Sequence, residues 1–348
     1  MCLDVEDKEL SFSNGSGAPA SRRLRVAVAG LGVIGEGAAL ELAKEDIPYA
    51  LCAALVRDPA KTRAVSLKTL RTYSDPAVML VEHPDVVVDA LPSGEAGRRL
   101  IEAALAQGVS IVTANKQAIA GALALLHKHA EQNHAVLAYS PSVGGGAPMV
   151  ETVQRAREQG DPREIAAILN GTVNFILSAM KNGAAFGEAV KRAQDAGFAE
   201  PDPTADLSGE DARAKISILT YEAFGHEIDL DAIQVEPLTA ERANSFVKGG
   251  GVWKQLAQIS RRPDGEIAAR VTFARVDDDP FFRKVEKEGN ALRVANADGR
   301  AFTCEGKGAG RAPTVGSIFS DLEKIARLKP SRNIERPENS LRRSGFFN

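Results

Sequence analysis

Three glycines within six residues constrain the fold of this chain more than any other feature. Gly30, Gly32 and Gly35 follow the apolar run Leu24–Ala29 (LRVAVA) and precede the helix-forming stretch EGAALELAKE. In such a strand–turn–helix unit the first glycine permits a tight turn, the second lets the backbone approach a pyrophosphate, and the third allows the helix to pack closely on the strand. The context predicts dinucleotide binding, and a glycine turn without a ligand is the alternative.

Apolar runs alternate with helix-like segments along the first 140 residues. The runs predicted as further strands are Leu51–Val56, Val86–Leu91, Val109–Thr113 and Ala135–Tyr139, and the segments predicted as helices are Ala96–Gln107 and Gln117–Gln132. This alternation is typical of βαβ units, in which helices cover both faces of a parallel sheet. We therefore expect an α/β fold with a Rossmann-type NAD(P)-binding domain over residues 22–142.

The residue that follows the second predicted strand bears on the choice of nicotinamide cofactor. An acidic residue there would hydrogen-bond the ribose hydroxyls of NAD, whereas an arginine can hold the 2′-phosphate of NADP. The sequence at this point is Val56-Arg57-Asp58. Arg57 favours NADP(H) over NAD(H). The alternative is that Arg57 is a solvated turn residue and that Asp58 caps the following helix.

After Tyr139 the pattern changes. The glycine run Ser142–Pro148 (SVGGGAP) is suited to a crossover between domains, and its carbonyl groups could bind a cation. Beyond it, runs separated by turn signals predict strands at Ile165–Leu169, Trp253–Ile259, Ile267–Val276 and Ala291–Val294. We expect an α+β second domain over residues 143–305.

An acidic loop with prolines precedes a predicted helix in this second part. Pro201 and Pro203 favour extended backbone, and Ser208 is expected to open the helix. The acidic residues of the loop are Glu200, Asp202 and Asp206. A divalent metal is one possible ligand, but no histidine lies beside the loop and the prolines spread its carboxylates apart.

Asp211 and Lys215 are four residues apart and share one face of that helix. A lysine between carboxylates suits a zwitterionic amino acid, because the carboxylates bind its ammonium group while the lysine holds or protonates an oxygen. The spacing is also typical of local structure. Ser208 to Asp211 fits a capping box, and Asp211 with Lys215 fits an exposed ion pair worth a few tenths of a kcal/mol.

Several motifs, in their order along the chain, resemble those of homoserine dehydrogenases. They are Thr113–Lys116 (TANK), Ser142–Pro148, Glu151–Val153 (ETV), Leu169–Asn174 (LNGTVN), Gly197–Lys215, Gly306–Gly310 (GKGAG) and Ala312–Thr314 (APT). The family reversibly reduces L-aspartate 4-semialdehyde to L-homoserine with NAD(P)H. The resemblance covers roughly residues 24–328. It implies this activity, a substrate-binding and dimerisation role for residues 143–305, and a return of residues 306–330 to the nucleotide domain. It also implies a short, monofunctional homodimer without a regulatory domain.

The resemblance assigns roles to individual residues. It implies that Lys215 transfers the proton and that Lys116 is a second active-site lysine near the nicotinamide. The residues that it implies for substrate binding are Gly197, Glu200, Asp206, Asp211 and Thr172. Together with the glycine turn, it gives the expected cofactor contacts as Gly30, Gly32, Val33, Ile34, Gly35, Arg57, Leu91, Pro92, Ser93, Asn115, Lys116 and Gly310. Because a lysine must lose its own proton before it can accept one, homoserine oxidation is expected to have an alkaline optimum.

Three positions depart from the family pattern. Ser140 stands where the family often has a glutamate that binds a monovalent cation, Phe198 replaces a common tyrosine, and Ala205 replaces an aspartate. The carbonyl groups left to bind sodium are those of Val143, Gly145 and Ala147. The departures keep open a dehydrogenase for another amino-acid semialdehyde or hydroxy amino acid. A non-catalytic NADP-binding sensor is a further alternative, against which the presence of both lysines argues.

Composition excludes several other classes of protein. The 348 residues include 43 Lys and Arg against 46 Asp and Glu, a balance that does not favour nucleic acid as a partner. No run of 18 uncharged apolar residues and no secretory signal is present, so we expect a cytoplasmic protein that does not bind membranes. Three scattered cysteines without a CxxC pair predict neither a disulfide framework nor a zinc ribbon. Residues 1–21 and 331–348 are expected to be a disordered extension and a tail.

Overall fold

The computed structural model describes residues 23–62, 64 and 67–328. The predicted extension over residues 1–21 and the predicted tail over 331–348 lie outside the described residues. Two six-stranded sheets form the framework of the described part. Among its helices, none is both long enough and apolar enough to cross a membrane.

The first sheet is parallel, with the strand order β3-β2-β1-β4-β5-β6. Its strands are β1 (Leu24–Ala29), β2 (Tyr49–Leu55), β3 (Thr72–Tyr73), β4 (Val86–Asp89), β5 (Ser110–Thr113) and β6 (Leu137–Ala138). The helices in this part are α1 (Val33–Leu42), α2 (Pro76–Leu80), α3 (Gly94–Ala106), α4 (Lys116–Ile119) and α5 (Leu123–Gln132). The strand order reverses between β1 and β4, and in doubly wound sheets the crevice outside the carboxyl ends of such strands binds the ligand. The predicted Rossmann-type α/β fold is confirmed.

The predicted single helix Gln117–Gln132 is wrong, because the structure has two helices there, α4 and α5. Ala120 leaves helical backbone with ψ 129°, and Gly121 has φ +68°, a conformation that costs glycine little. Lys116 consequently begins α4 immediately after β5, at the carboxyl edge of the sheet.

The second sheet has the order β12-β11-β7-β9-β10-β8 and is antiparallel except for β8, which runs parallel to β10. Its strands are β7 (Pro162–Ile168), β8 (Gln234–Val235), β9 (Trp253–Arg261), β10 (Ile267–Arg275), β11 (Gly289–Asn296) and β12 (Ala301–Lys307). The accompanying helices are α6 (Met149–Gln159), α7 (Gly171–Lys181), α8 (Phe186–Asp195), α9 (Thr204–Leu207), α10 (Glu210–Phe224), α11 (Ala240–Gly249) and α12 (Pro280–Arg283). The expectation of an α+β second part is confirmed.

The last helix of the described residues, α13 (Arg311–Leu328), packs against the first sheet rather than the second. Ile318, Leu322 and Ile325 are fully buried there against valines of β1, β4 and β5. Phe319 meets Tyr49 of β2 edge to face, with ring centroids 5.7 Å apart. One face of the nucleotide-type sheet is therefore covered by α13.

A single apolar cluster connects the two sheets. It runs from Val87 and Ile111 of the first sheet through α5, α6 and α10 to Ala257 and Ile259 of the second. Protein interiors are close-packed, so one buried element cannot move without displacing the elements that pack against it. The cluster therefore fixes α10, which carries Asp211 and Lys215, relative to the carboxyl edge of the first sheet.

Candidate active site

A cleft of about 460 Å³ lies between the carboxyl edge of the first sheet and the helices α7, α9 and α10. About half of its lining residues are polar or charged. The predicted site residues that line it are Ile34, Lys116, Gly145, Thr172, Glu200, Asp206, Asp211, Lys215 and Gly310. Ala205 and Phe198, two of the departures from the family pattern, line it as well.

Asp211 joins two lysines from different parts of the fold. Its Oδ2 accepts from Lys215 Nζ at 2.8 Å, and its Oδ1 lies 3.1 Å from Lys116 Nζ. Asp211 is only 7% exposed. Burial alone would raise the pKa of its carboxyl group, but Lys215 and Lys116 outweigh burial and lower this pKa to about 2. Asp211 in turn raises the pKa of Lys116. Asp211 is thus ionised at any working pH.

Lys215 is held by two acceptors. Besides Asp211, its Nζ donates to the carbonyl of Leu169 at 2.8 Å, and its side chain is 12% exposed. Asn290 Nδ2 donates to the same carbonyl at 3.1 Å. A lysine ammonium has three N–H groups, so one is left for a substrate oxygen.

Asn170 orients the carboxylates around this pair. Its Nδ2 donates to Asp206 Oδ1 at 2.7 Å and to Asp211 Oδ2 at 3.0 Å, while its Oδ1 accepts from Val173 N and caps α7. Sequence reasoning did not select Asn170 as a site residue. The sequence feature that could have identified Asn170 is its position in the LNGTVN motif directly before a helix, where asparagine is a favoured N-cap.

The acidic loop differs from the expected extended form, because Asp206 lies on the short helix α9. Burial, and then the nearby Asp211, raise the pKa of Asp206. Asp202 Oδ1 accepts from both the backbone N–H and the hydroxyl of Thr204, the first residue of this helix. Glu200 remains exposed at the mouth of the cleft.

Two local interpretations of the Asp211 region are wrong. The residue that caps α10 is Gly209, with φ +86° and no side-chain cap, so Ser208 does not open the helix in a capping box. The pair of Asp211 with Lys215 is largely buried rather than exposed. The physical reason is that both carboxylate oxygens already bind side chains of Lys116, Lys215 and Asn170.

Of the predicted substrate-binding residues, Thr172 lines the cleft, whereas Gly197 is not among the residues that line it. The Thr172 hydroxyl donates to the carbonyl of Phe198 at 2.6 Å, which fixes the start of the acidic loop on α7. Gly197 has φ +74° and ends the turn after α8. Phe198 packs on Phe175, with ring centroids 5.2 Å apart.

The glycine turn meets the requirements of a dinucleotide phosphate site. Gly30 has φ +86°, and a Cβ there would lie 2.6 Å from the carbonyl oxygen of Ala90. A Cβ on Gly35 would lie 1.7 Å from the Gly30 oxygen, whereas one on Gly32 would have no atom within 4 Å. Val33 and Ile34 follow in the first turn of α1, whose N-terminus has no side-chain cap. Open space at a helix N-terminus with free amides fits a pyrophosphate.

The loops after β4 and β5 are tied together beside this turn. Asp89 accepts from Leu91 N at 3.0 Å and from the Thr113 hydroxyl at 2.9 Å. Asn115 Nδ2 donates to the Ser93 carbonyl at 3.0 Å. Pro92 lies in the same β4–α3 loop. Burial raises the pKa of Asp89 to about 6. The expected cofactor-contact loops are therefore adjacent and mutually fixed.

Arg57 is exposed just beyond the end of β2. The neighbouring Asp58 accepts from Ala60 N at 2.9 Å, and the segment there forms a turn. Arg57 is thus accessible on the side of β1 where an adenosine ribose is bound in such sheets.

The expected cation loop is a tight glycine turn. Gly144 and Gly145 have φ +83° and +58°. The carbonyl of Ala147 accepts from Met149 N at 2.7 Å, and Val143 N donates to the Ser140 carbonyl. Ser140 itself donates to Asp321 through both its N–H and its hydroxyl, each at 2.9 Å. Within the described ranges no group of three or more His, Cys, Asp or Glu side chains could hold a metal.

Comparisons with known proteins agree along both parts of the chain. A homoserine dehydrogenase family model matches residues 148–322, and a model of the NAD-binding domain of homoserine dehydrogenase matches residues 30–140. Homoserine dehydrogenase of Bacillus subtilis (strain 168) is 31% identical over 316 residues, which cover 87% of this chain and 73% of that protein. An NAD(+)-dependent homoserine dehydrogenase of Pseudomonas canavaninivorans is 33% identical over 235 residues, 67% of each chain. A solved homoserine dehydrogenase structure from Thiobacillus denitrificans has a TM-score of 0.80 at 29% identity, covering 88% of this chain and 73% of that one.

Proposed function

The chain belongs to the homoserine dehydrogenase family, an NAD(P)-dependent oxidoreductase family that acts on a CH–OH donor, and we propose that the lysine pair on Asp211 is its catalytic centre. The observation that carries this proposal is the meeting of Lys116 from the nucleotide-type sheet and Lys215 from α10 on one buried carboxylate. Residues 22–142 would hold the cofactor and 143–305 the substrate, with 306–330 closing on the cofactor side.

The reaction interconverts the terminal alcohol of L-homoserine and the aldehyde of L-aspartate 4-semialdehyde. A bound nicotinamide supplies the chemistry of hydride transfer to or from the carbon that bears this oxygen. During oxidation Lys215 takes the hydroxyl proton, and during reduction it returns a proton to the forming alkoxide. Asp211 and the Leu169 carbonyl hold Lys215 in one orientation for both directions.

Lys116 and the acidic groups orient the substrate. Lys116 starts α4 beside the cofactor loops, so its charge stabilises negative charge on the reacting oxygen. Asp206 and Glu200 supply carboxylates for the substrate ammonium group. A bound ammonium would favour the charged form of Asp206, which burial disfavours in the free protein. The site thereby selects an amino acid that carries its oxygen at the lysine end.

The test of this function is an initial-rate assay of reduced nicotinamide at about pH 9 with L-homoserine and either NADP⁺ or NAD⁺. We expect turnover with homoserine to exceed that with other hydroxy amino acids. The second candidate function is a dehydrogenase for another hydroxy amino acid, because Phe198 and Ala205, which depart from the family pattern, line the cleft. Preferential oxidation of another hydroxy amino acid would support this function. Cofactor binding without oxidation of any hydroxy amino acid would instead support a sensor.

We propose that NADP(H) is preferred over NAD(H). The support is Arg57, exposed at the end of β2, since an arginine there can bind a 2′-phosphate. The similarity to an NAD(+)-dependent relative makes NAD(H) the competing assignment.

We also propose that a monovalent cation binds to the carbonyl groups of Val143, Gly145 and Ala147. Dependence of the rate on sodium would test this cation site.

Replacing Arg57 by alanine should raise the KM for NADP⁺ about tenfold, because a charge-assisted contact to the 2′-phosphate is lost. The KM for NAD⁺ should change less than about twofold, since NAD⁺ lacks that phosphate. Arg99→Ala, which removes an exposed arginine on α3, serves as the matched control. Equal changes for the two cofactors would contradict the assignment of Arg57.

We propose that two copies of the chain associate through the second sheet. The face opposite α6 and α10 carries small and polar side chains along a cleft of about 540 Å³, including Ala166, Gln258, Ala268 and Arg293. A sheet face of this kind suits packing against an identical sheet. Sedimentation equilibrium should give the mass of two chains, and a monomer at micromolar concentration would exclude the dimer.

We propose a cytoplasmic location. Cys52 and Cys304 are free thiols in the part of the chain that the structure describes, and burial raises the pKa of both, to about 11 for Cys52. Free, partly buried thiols are compatible with a reducing compartment. Cell fractionation with detection of the chain in the membrane or exported fraction would contradict this location.

A further inference from the structure

Lys254 is a buried lysine that the proposed mechanism does not use. It lies on β9, is 2% exposed, and donates from Nζ to Asn174 Oδ1 at 2.8 Å and to the carbonyl of Val285. A buried ammonium group is costly unless its N–H groups have acceptors. Both of its acceptors belong to, or contact, the loop formed by residues 285–289.

Asn174 connects Lys254 to the whole of this loop. It lies on α7 and is 1% exposed. Its Nδ2 faces three carbonyl oxygens of the loop, those of Val285 at 3.3 Å, Lys287 at 2.9 Å and Gly289 at 3.2 Å. Lys287 has φ +54°, which is unfavourable for a side chain of this kind. The loop conformation therefore depends on support from outside the loop.

The same loop forms part of the substrate cleft. Glu288 lines the cleft, and its carbonyl oxygen lies 2.7 Å from the position of a Cβ on Gly171, at the start of α7. The next residue but one, Asn290, donates to the Leu169 carbonyl that also accepts from Lys215. A shift of this loop would move Glu288 at the cleft, whereas Asn290 lies on β11 beyond the loop and keeps its contact with the Leu169 carbonyl.

We propose that Lys254 is a positioning residue that acts through Asn174 to hold the 285–289 loop, and with it Glu288, at the substrate cleft. The proposal rests on the proposed function of that cleft. The Glu288 carboxylate would join Asp206 and Glu200 around the substrate ammonium group. Lys254 therefore affects substrate binding without touching the substrate.

The titration of Lys254 supports this role. Burial lowers its pKa to about 8, Glu286 on the loop raises it, and Lys181 at the end of α7 lowers it. Arg283 of α12 lines the adjoining cavity and adds a further positive charge. Below this pKa the ammonium makes charge-assisted hydrogen bonds, which are stronger than those of a neutral amine. The loop should accordingly be held less firmly as the pH rises through about 8.

The test is a double-mutant cycle between Lys254→Met and Glu288→Ala, measured with homoserine and NADP⁺. We expect Lys254→Met to raise the KM for homoserine about tenfold while kcat and the KM for NADP⁺ change less than about twofold. In the Glu288→Ala background the same substitution should change the homoserine KM less than about twofold. Lys248→Met, which alters an exposed lysine on α11, is the control for the loss of charge.

Other outcomes would overturn the proposal. Lys254→Met would have a general structural role if it raised the homoserine KM equally in both backgrounds. The same would hold if it changed kcat and the KM for NADP⁺ as much as it changes the KM for homoserine. If Lys254→Met fails to fold, the test is the pH dependence of the homoserine KM in the Glu288→Ala variant. In the unaltered protein this KM should rise near pH 8, and in Glu288→Ala it should not. A rise that persists in Glu288→Ala refutes the proposal. An unaltered protein that does not oxidise homoserine contradicts the proposed function instead.

Discussion

Replacing Lys215 by alanine is expected to lower kcat for homoserine oxidation about a thousandfold, the range of a positioned acid–base group. The reason is that no other lysine of the site has its ammonium held by both Asp211 and a backbone carbonyl. Affinity for NADPH, measured by fluorescence titration, should stay within about twofold, because the glycine turn lies on another element.

Two further measurements separate proton transfer from loss of structure. Methylamine should restore part of the activity of Lys215→Ala, since a small amine fits the space left by the side chain. Lys191→Ala, on the exposed face of α8, should leave kcat unchanged. A Lys215→Ala variant that keeps more than about a tenth of the activity would assign the proton transfer to another group.

Asp211→Asn should both abolish activity and destabilise the fold by about 3 kcal/mol. The substitution leaves Lys116 and Lys215 close together without the carboxylate that both now contact. Denaturant unfolding and the kcat for homoserine are the measurements. Asp195→Asn, which breaks an exposed pair with Lys191, is the matched control and should cost less than about 1 kcal/mol.

The sign of the pH dependence follows from the lowered pKa of Asp211. Because the folded pKa is about 2 and the ordinary value is 3.8, the stabilisation is fully present above about pH 4 and is lost as the pH falls through about 2. The stability gap between Asp211→Asn and the unaltered protein should therefore narrow in acid. If this stability gap did not change with pH, Asp211 would not be ionised in the folded protein. In a separate test, adding Lys116→Met to Asp211→Asn should recover part of the stability but none of the activity.

Local patterns in the sequence predicted five of the six strands of the nucleotide-type half, and missed the two-residue strand β3. The run LRVAVA forms β1 over the expected residues, and the other four strands expected in that half are present, with ends shifted by up to two residues. A glycine turn and a β-branched run specify their conformation from neighbours in sequence. The prediction of a single helix over Gln117–Gln132 was wrong because it relied on periodicity alone. The left-handed backbone conformation of Gly121 ends one helix before the next begins, although the periodicity is favourable on both sides.

The chemistry of Asp211 could not be read from local spacing. Within α10 the carboxylate has only a capping partner or Lys215 within reach. Its second lysine, Lys116, begins α4, and its amide donor, Asn170, caps α7, so the buried triple contact exists only once both sheets are assembled. Lys254 and Asn174 were missed for a similar reason, since their partners are backbone carbonyl groups, which carry no residue signature.

The burial of Ile318, Leu322 and Ile325 against the first sheet has a consequence for synthesis of the chain. The strands of that sheet are made before α13, and the apolar face that carries the valines of β1, β4 and β5 is completed only when α13 packs on it. Until α13 packs there, the nascent nucleotide-type half exposes β-branched residues of three parallel strands, β1, β4 and β5. Such surfaces favour aggregation, so we expect the nucleotide-type half to be most prone to aggregate before α13 has been made.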